Sequence, residues 1–231
     1  PLWTVNSYST VSISADGNYI VAGGNQKIFL FDKDSSTPIW SYSIGSVINE
    51  VEFTDSGTHI AFKSESSIYI IDRVYKNIIW QKTFTSSIKD FAISSDAQII
   101  AIGLSNEKLY TFNIITDTEI WNLDLEEPSI SIDISANGDT IAVGIEDNQI
   151  YLLSIESSTP LWTYSAGGSN SGTIDISISS DGKFVTFGDN GNGLFFFSKN
   201  SSTPLWKYQT ETNSAFSSVS ISADANFIAA G

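Results

Sequence analysis

The side chains able to do acid–base chemistry in this chain are almost all carboxylates. Five of them recur near matching turns: Glu50, Glu52, Asp90, Asp133 and Asp175. Two acids can divide general-acid and general-base roles when their surroundings split their pKa values. Gathered in a concave place without bases, such acids raise a strong negative potential that suits a cation or a basic group. Their plainer role is a solvated wall. Nucleophilic catalysis needs a base, usually histidine, and the chain has one, His59, too few for a histidine-held metal. The absence of cysteine removes thiolate nucleophiles, disulfides, cysteine-ligated zinc and iron–sulfur clusters. The run Asp189-Asn190-Gly191-Asn192-Gly193 looks like part of an oxygen-ligand loop, with Asp189, Asn190 and Asn192 as calcium candidates. It offers one carboxylate where such loops carry several, and Asn and Gly also make ordinary turns. No catalytic residue is assigned, and calcium is the one cofactor with any candidate ligands.

Charge narrows the partners. Eleven basic residues against twenty-six acidic ones leave a net charge of −15. Contact with a phosphate backbone needs clustered Lys and Arg, so nucleic acid is not an expected partner. Charged residues make up 16% of the chain, below the usual share of about a quarter, and Ser and Thr supply the remaining polarity. A 231-residue chain that is 41% hydrophobic can bury a sizeable core. No apolar run approaches the roughly 20 residues that span a bilayer, so no membrane insertion of this segment is expected.

The elements that must position these acids are repeated. Tryptophans stand at Trp3, Trp40, Trp80, Trp121, Trp162 and Trp206, with gaps of 37, 40, 41, 41 and 44 residues. A second marker is a turn, read as ISADGNYIVAG at 13–23, FTDSGTHIAFK at 53–63, ISSDAQIIAIG at 93–103, ISANGDTIAVG at 134–144, ISSDGKFVTFG at 178–188 and ISADANFIAAG at 221–231. Within each copy apolar residues alternate with period two, the pattern of strands. Val11 and Ile13, Val51 and Phe53, Phe91 and Ile93, Ile132 and Ile134, Ile176 and Ile178, and Val219 and Ile221 mark a strand A before each turn. Strand B follows the turn. Strand C reads KIFLF, SIYII, KLYTF, QIYLL or GLFFF, and the tryptophan segment is strand D. No stretch carries helical periodicity.

A four-stranded meander of about 40 residues cannot bury both faces alone and must stack on its own copies. Stacking around an axis gives an all-β propeller. The sequence predicts five complete antiparallel blades and an incomplete sixth, with strand D at the N-terminus and strands A and B at the C-terminus. Residues 1–231 form one domain on this reading, with repeats at about 8–43, 44–83, 84–124, 125–165, 166–209, and 210–231 plus 1–7. The expectation is a fragment of a longer polypeptide, because the last copy lacks a piece like KIFLFDKDSST.

The repeat resembles the PQQ-like propeller family in its Asp-Gly turn, its Gly closing strand B, its aromatic strand C ending in a polar residue, and its Thr before a Trp. One copy shows these as Asp16, Gly17, Gly23, Phe29, Phe31, Asp32, Thr37 and Trp40. It is also similar to WD-repeat propellers at the A-to-B turn, but lacks their Gly-His and Trp-Asp dipeptides. Departures from the PQQ-like pattern are Pro38, Pro160 and Pro204 after Thr, and Lys63 in place of the Gly closing strand B. The resemblance implies that Trp3, Trp40, Trp80, Trp121, Trp162 and Trp206 dock each blade on the next, as apolar plugs whose N–H seeks a carbonyl. It also implies an innermost strand A, which puts the five acids around an axial channel. A quinoprotein dehydrogenase is the enzymatic alternative that it invites. The family's cofactor site needs an Arg near the quinone and a calcium held by Glu, Asn and Asp, whereas the one Arg here, Arg73, falls in a C-to-D loop on the other face.

Propeller geometry puts the D-to-A and B-to-C loops on one face. From each tryptophan to the aligned turn residue the D-to-A side runs 13, 16, 16, 16, 19 and 18 residues, while the C-to-D spacing is fixed. A face whose loops differ between copies is where a scaffold carries binding. The candidate surface comprises residues 166–172, 188–193 and 209–216 with Glu107, Glu146, Asp147 and Asp189. The resulting expectation is a non-enzymatic scaffold presenting these loops and an acidic channel to a protein, glycan or cation partner. Asn200-Ser201-Ser202 is a glycosylation sequon on the opposite face, consistent with an extracellular or cell-surface setting in a host that glycosylates.

Overall fold

The computed structural model describes residues 4, 8–166, 173–189, 191, 193–210 and 216–231, with 173 and 174 described by their backbone alone. Two compact units divide the chain, Pro1–Ile88 and Lys89–Gly231. In the first, β1 (Thr10–Ile13), β2 (Tyr19–Gly24), β3 (Lys27–Asp32) and β4 (Trp40–Ser43) pair in chain order as a four-stranded antiparallel sheet, and β5 (Glu50–Phe53), β6 (His59–Lys63), β7 (Ser67–Asp72) and β8 (Ile78–Thr83) form the next. In the second, one sheet comprises β9 (Ile88–Ile93), β10 (Ile99–Leu104), β11 (Lys108–Asn113) and β12 (Thr118–Asp124), and another β13 (Ser129–Ile134), β14 (Thr140–Ile145), β15 (Gln149–Ser154) and β16 (Ser157–Ser165). A third comprises β17 (Thr173–Ile178), β18 (Phe184–Asp189), β19 (Gly193–Ser198) and β20 (Trp206–Gln209), followed by a two-stranded sheet of β21 (Val219–Ile221) and β22 (Ile228–Ala230). The described chain is thus all-β, with five four-stranded propeller blades and strands A and B of a sixth. The expected N-terminal strand D, with Trp3, lies outside the described residues. Among the described residues, no helix is long and apolar enough to cross a membrane.

The A-to-B turn recurs in sequence because its side chains close it. Ser14 Oγ donates to Asp16 Oδ1 at 2.6 Å and accepts from Tyr19 N at 3.0 Å, while Asn18 N donates to Asp16 Oδ1 at 3.0 Å. The same network joins Ser94, Asp96 and Ile99, then Ser179, Asp181 and Phe184, then Ser222, Asp224 and Phe227. The bonds are local, so the motif is the turn. These contacts hold the Asp16 and Asp181 carboxyls down to about 2, Asp16 through Ser14 first and Asp181 through Lys183 first.

The residue after the turn's acid or its counterpart has positive φ in every described copy: Gly17 at 68°, Gly57 at 65°, Ala97 at 58°, Gly138 at 76°, Gly182 at 69° and Ala225 at 57°. A Cβ in this left-handed region costs roughly 1–2 kcal/mol. Ala225→Gly should therefore raise stability by about 0.5–1 kcal/mol, the gain being trimmed by glycine's greater freedom when unfolded. Thermal melts check this, and a lower midpoint would contradict it.

Packing is between sheets, as the alternation requires. One core layer joins Val21, Ile28, Leu30 and Trp40 of the first blade to Ile48, Val51, Phe53, Ile60, Phe62 and Ile71 of the second. In the second unit, Ala92, Ala101 and Leu109 meet Ile132, Ile134, Ile141 and Val143. The other face of that sheet, with Ala142, Ile150 and Leu152, meets Ile176, Ile178, Val185, Phe187 and Phe195. Close approach explains the glycine ending strand B: a Cβ on Gly23 would lie 2.7–2.9 Å from Ile48, Val51 and Thr10. Strand D is the sheet edge, so Pro160 inside β16 forfeits no ladder bond there.

Candidate functional site

Three of the strand A acids bond across to the next blade. Strand A is the other edge of each sheet, and its backbone N–H groups need acceptors. Side chains of the preceding blade supply them. Asp90 Oδ2 accepts from Ile132 N at 2.6 Å, Asp133 Oδ2 from Ile178 N at 2.8 Å, and Asp175 Oδ2 from Val219 N at 2.8 Å. Hydroxyls do the same elsewhere: Thr10 Oγ1 accepts from Val51 N, Ser12 Oγ from Phe53 N, Ser131 Oγ from Ile176 N and Ser177 Oγ from Ile221 N, at 3.1–3.3 Å. From sequence these acids are expected to face a solvated channel; the structure commits Asp90, Asp133 and Asp175 to clasping neighbouring blades. Asp133 also accepts from Ile134 N at 2.8 Å, yet loss of water around its carboxyl, the largest effect, pushes its pKa up to about 6.

In the first unit Glu50 and Glu52 sit half-buried on the face of β5 opposite Val51 and Phe53. Glu50 Oε2 lies 3.0 Å from Lys63 Nζ, and the Lys63 ammonium also points at the Ile88 carbonyl, 3.5 Å away. Lys63 is 6% exposed. The residue that departs from the glycine pattern therefore neutralises an acid on the paired strand. His59 opens β6 with Nδ1 2.9 Å from Thr58 Oγ1.

Three of the tryptophans follow one rule. The indole N–H of Trp40 donates to Arg73 O at 3.0 Å, that of Trp121 to Ile155 O at 2.8 Å, and that of Trp162 to Lys199 O at 2.8 Å. Each acceptor is the first residue after strand C of the next blade. Trp40 and Trp80 are buried, Trp121 and Trp162 half-buried, and Trp206 is 40% exposed. The residue after strand C also reaches back with its side chain: Arg73 Cζ stands 4.0 Å over the Tyr19 ring, and Lys199 Nζ donates to Thr140 Oγ1 at 2.8 Å.

The binding candidates divide. Glu107, Glu146 and Asp147 are exposed in the B-to-C loops of adjacent blades. Backbone bonds tie these loops to the D-to-A side, from Leu125 N to Glu107 O at 2.7 Å and from Glu146 N to Pro128 O at 3.2 Å. That brings Glu126 and Glu127, also exposed, to the same end of the unit. Sequence reasoning missed this pair, although the run Glu126-Glu127-Pro128 on the variable loop side was the available signal. Basic groups also stand at this end: Lys89 Nζ lies 3.4 Å from Glu146 Oε1, and Lys108, next to Glu107, pairs with Asp124. Asp189, by contrast, is 4% exposed, and its Oδ1 accepts from Gly191 N at 3.0 Å and Gly193 N at 2.6 Å. This carboxylate closes its own turn. Asn190, Asn192 and residues 167–172 and 211–215 of the candidate surface lie outside the described residues. Among the described residues, no three of His, Asp or Glu are grouped so as to hold a metal ion.

Arg73 also decides how a quinone site fits. The single guanidinium is stacked on Tyr19, beside the carbonyl that takes the Trp40 indole, within the contact between two blades. The described residues therefore do not fit the cofactor site that the PQQ-like resemblance invites.

No curated protein matches the chain significantly. The profile of the PQQ_2 family, described as outer membrane protein assembly factor BamB, matches residues 105–230. That match covers more than half of the sequence, with two complete four-stranded sheets and Trp121, Trp162 and Trp206, so the chain belongs to this family of PQQ-like repeat propellers.

Proposed function

We propose that the protein is a non-enzymatic, protein-binding scaffold whose recognition surface is the loop end carrying Glu107, Glu126, Glu127, Glu146 and Asp147. One observation carries the reading. Asp90, Asp133 and Asp175 of strand A are occupied in joining blades and Glu50 in pairing with Lys63, whereas these five loop acids are exposed and share one end of the second unit. These acids sit on D-to-A and B-to-C connecting loops, the segments on which a rigid scaffold carries binding. The family description, an assembly factor, supports a protein rather than a small molecule as partner. A scaffold fold by itself assigns no activity.

An excess of exposed carboxylates selects a basic segment, held weakly and with strong salt dependence. Hexalysine peptide titrated at low ionic strength should bind, and raising the salt to about 0.5 M, where the screening length falls to a few ångströms, should abolish the signal. The quinoprotein alternative is tested in the same preparation. Added quinone and calcium should leave the quinone absorbance unchanged, and a bound-cofactor spectrum would overturn the non-enzymatic reading.

A further inference from the structure

One A-to-B turn carries its side-chain pair in reverse. In three copies an acid stands at the turn and a donor two residues on: Asn18 Nδ2 donates to Asp16 Oδ2 at 2.9 Å, Lys183 Nζ lies 2.8 Å from Asp181 Oδ2, and Asn226 Nδ2 donates to Asp224 Oδ2 at 2.6 Å. The blade of β13–β16 exchanges the roles, with Asn137 Nδ2 donating to Asp139 Oδ2 at 2.8 Å. Asn137 is exposed, and Gly138 follows it. That glycine is required, since its φ is 76° and a Cβ there would lie 2.8–3.0 Å from Ile99. The fold therefore keeps beside an asparagine the one residue type with no side chain to obstruct its peptide nitrogen. The turn also sits where blades join. Ala136, next to Asn137, donates its N–H to Ser180 O at 3.0 Å and accepts at its own O from Ser95 N at 2.9 Å, so its backbone links the turns of three successive blades.

We propose that Asn137 is a site of spontaneous deamidation, gated by opening of this turn, and that its products loosen the turn. The Gly138 nitrogen gives up its proton and bonds to the carboxamide carbon of Asn137, the carbon–nitrogen bond of the carboxamide breaks, and that nitrogen leaves as ammonia. Water then opens the cyclic imide at one carbonyl to aspartate or at the other to isoaspartate. The reaction consumes water and needs no other reagent. In the closed turn Gly138 N donates to Ser135 O at 2.8 Å, while Asn137 Oδ1 accepts from Ser135 Oγ at 2.8 Å and from Asp139 N at 3.2 Å. Both reacting groups are thus held until the turn opens locally. Aspartate at this position sets a second carboxylate against Asp139, a like-charge contact that the turns at Asp16, Asp181 and Asp224 avoid by placing a donor there. Isoaspartate adds a methylene to the backbone beside Ala136 and its two inter-blade bonds. The site lies on the A-to-B turns and does not depend on the loop end proposed above for basic partners.

The test incubates the whole chain at mildly alkaline pH, folded and in concentrated urea. Peptide mass mapping follows the change from amide to acid at Asn137 separately from the Asn190–Gly191 and Asn192–Gly193 pairs. Asn137 should convert in the folded chain, about tenfold or more slowly than in urea, because only the locally opened turn reacts. Asn137→Asp, which reproduces one product, should melt about 2–4 °C below wild type, the shift expected in a chain of this size for one such contact turned repulsive. The double variant Asn137→Asp, Asp139→Asn restores the order of Asp16-Gly17-Asn18 and should melt like wild type. No conversion of Asn137 in the folded chain while the unfolded chain converts completely, equal rates in the two conditions, or a single variant as stable as the double would each overturn the assignment.

Discussion

Trp40→Ala should lower stability by about 3–5 kcal/mol, the range for truncating a large buried aromatic. Trp40 is 7% exposed, packs with Val21, Leu30 and Ile71, and donates its indole N–H to Arg73 O at 3.0 Å. Alanine removes the apolar plug between two blades and leaves the Arg73 carbonyl without that donor. Trp40→Phe keeps most of the ring and loses only the hydrogen bond, so its cost should be about 1 kcal/mol. Denaturant unfolding of both variants separates the two effects. Equal losses would show that the hydrogen bond, rather than the packing of the ring, dominates the contribution of Trp40.

Asp133→Ala should cost about 2 kcal/mol at neutral pH, because Ile178 N loses its acceptor across the blade contact and Ile134 N loses one within its own strand. Asp133→Asn retains an acceptor and removes the charge, which makes the pH dependence informative. The folded-state pKa is raised to about 6 from 3.8, mainly because the carboxyl is withdrawn from water, with Asp175 nearby adding repulsion. A raised pKa means that the fold binds the proton more tightly than the unfolded chain. The associated stability is fully present below the unfolded value and is lost as pH rises through about 6. Between pH 5 and pH 7 wild type should therefore lose about 1 kcal/mol relative to Asp133→Asn. The turn acids act in a separate window: Asp16 and Asp181, lowered to about 2, stabilise above the unfolded value and lose that contribution as pH falls through about 2. A constant difference between wild type and Asp133→Asn across pH 5–7 would contradict the buried clasp.

What the sequence reveals about this molecule tracks the distance over which each interaction acts. The A-to-B turn is legible because Ser14, Asp16 and Asn18 satisfy one another within a few residues, and the strands are legible because their alternation is local. Blade stacking follows from the repeat alone. The role of the strand A acids is not legible, since Asp90, Asp133 and Asp175 find their amide donors 42–45 residues downstream. A carboxylate that clasps a neighbouring strand and one that faces a water-filled channel occupy the same position in the pattern. Lys63 shows the same limit: as a departure from glycine it is visible, but its pairing with Glu50 depends on the cross-strand register of β5 and β6. Asp189 reads equally as a ligand or as a turn residue until its two backbone donors are seen. Glu126 and Glu127 join Glu107 and Glu146 only through loop backbone bonds.

Recognition by the loop end and structural work by the strand A acids separate in one experiment. Hexalysine is titrated at low salt into wild type, into the triple variant Glu107→Gln, Glu146→Gln, Asp147→Asn, and into the double variant Asp90→Asn, Asp175→Asn. The triple variant should bind about tenfold more weakly, the effect of removing three exposed charges, and melt like wild type. The double variant should bind within about twofold of wild type and melt at a lower temperature, because its blade-to-blade acceptors are weakened. Loss of binding in the double variant with full binding in the triple variant would place recognition on the strand A acids and contradict the proposed division of roles.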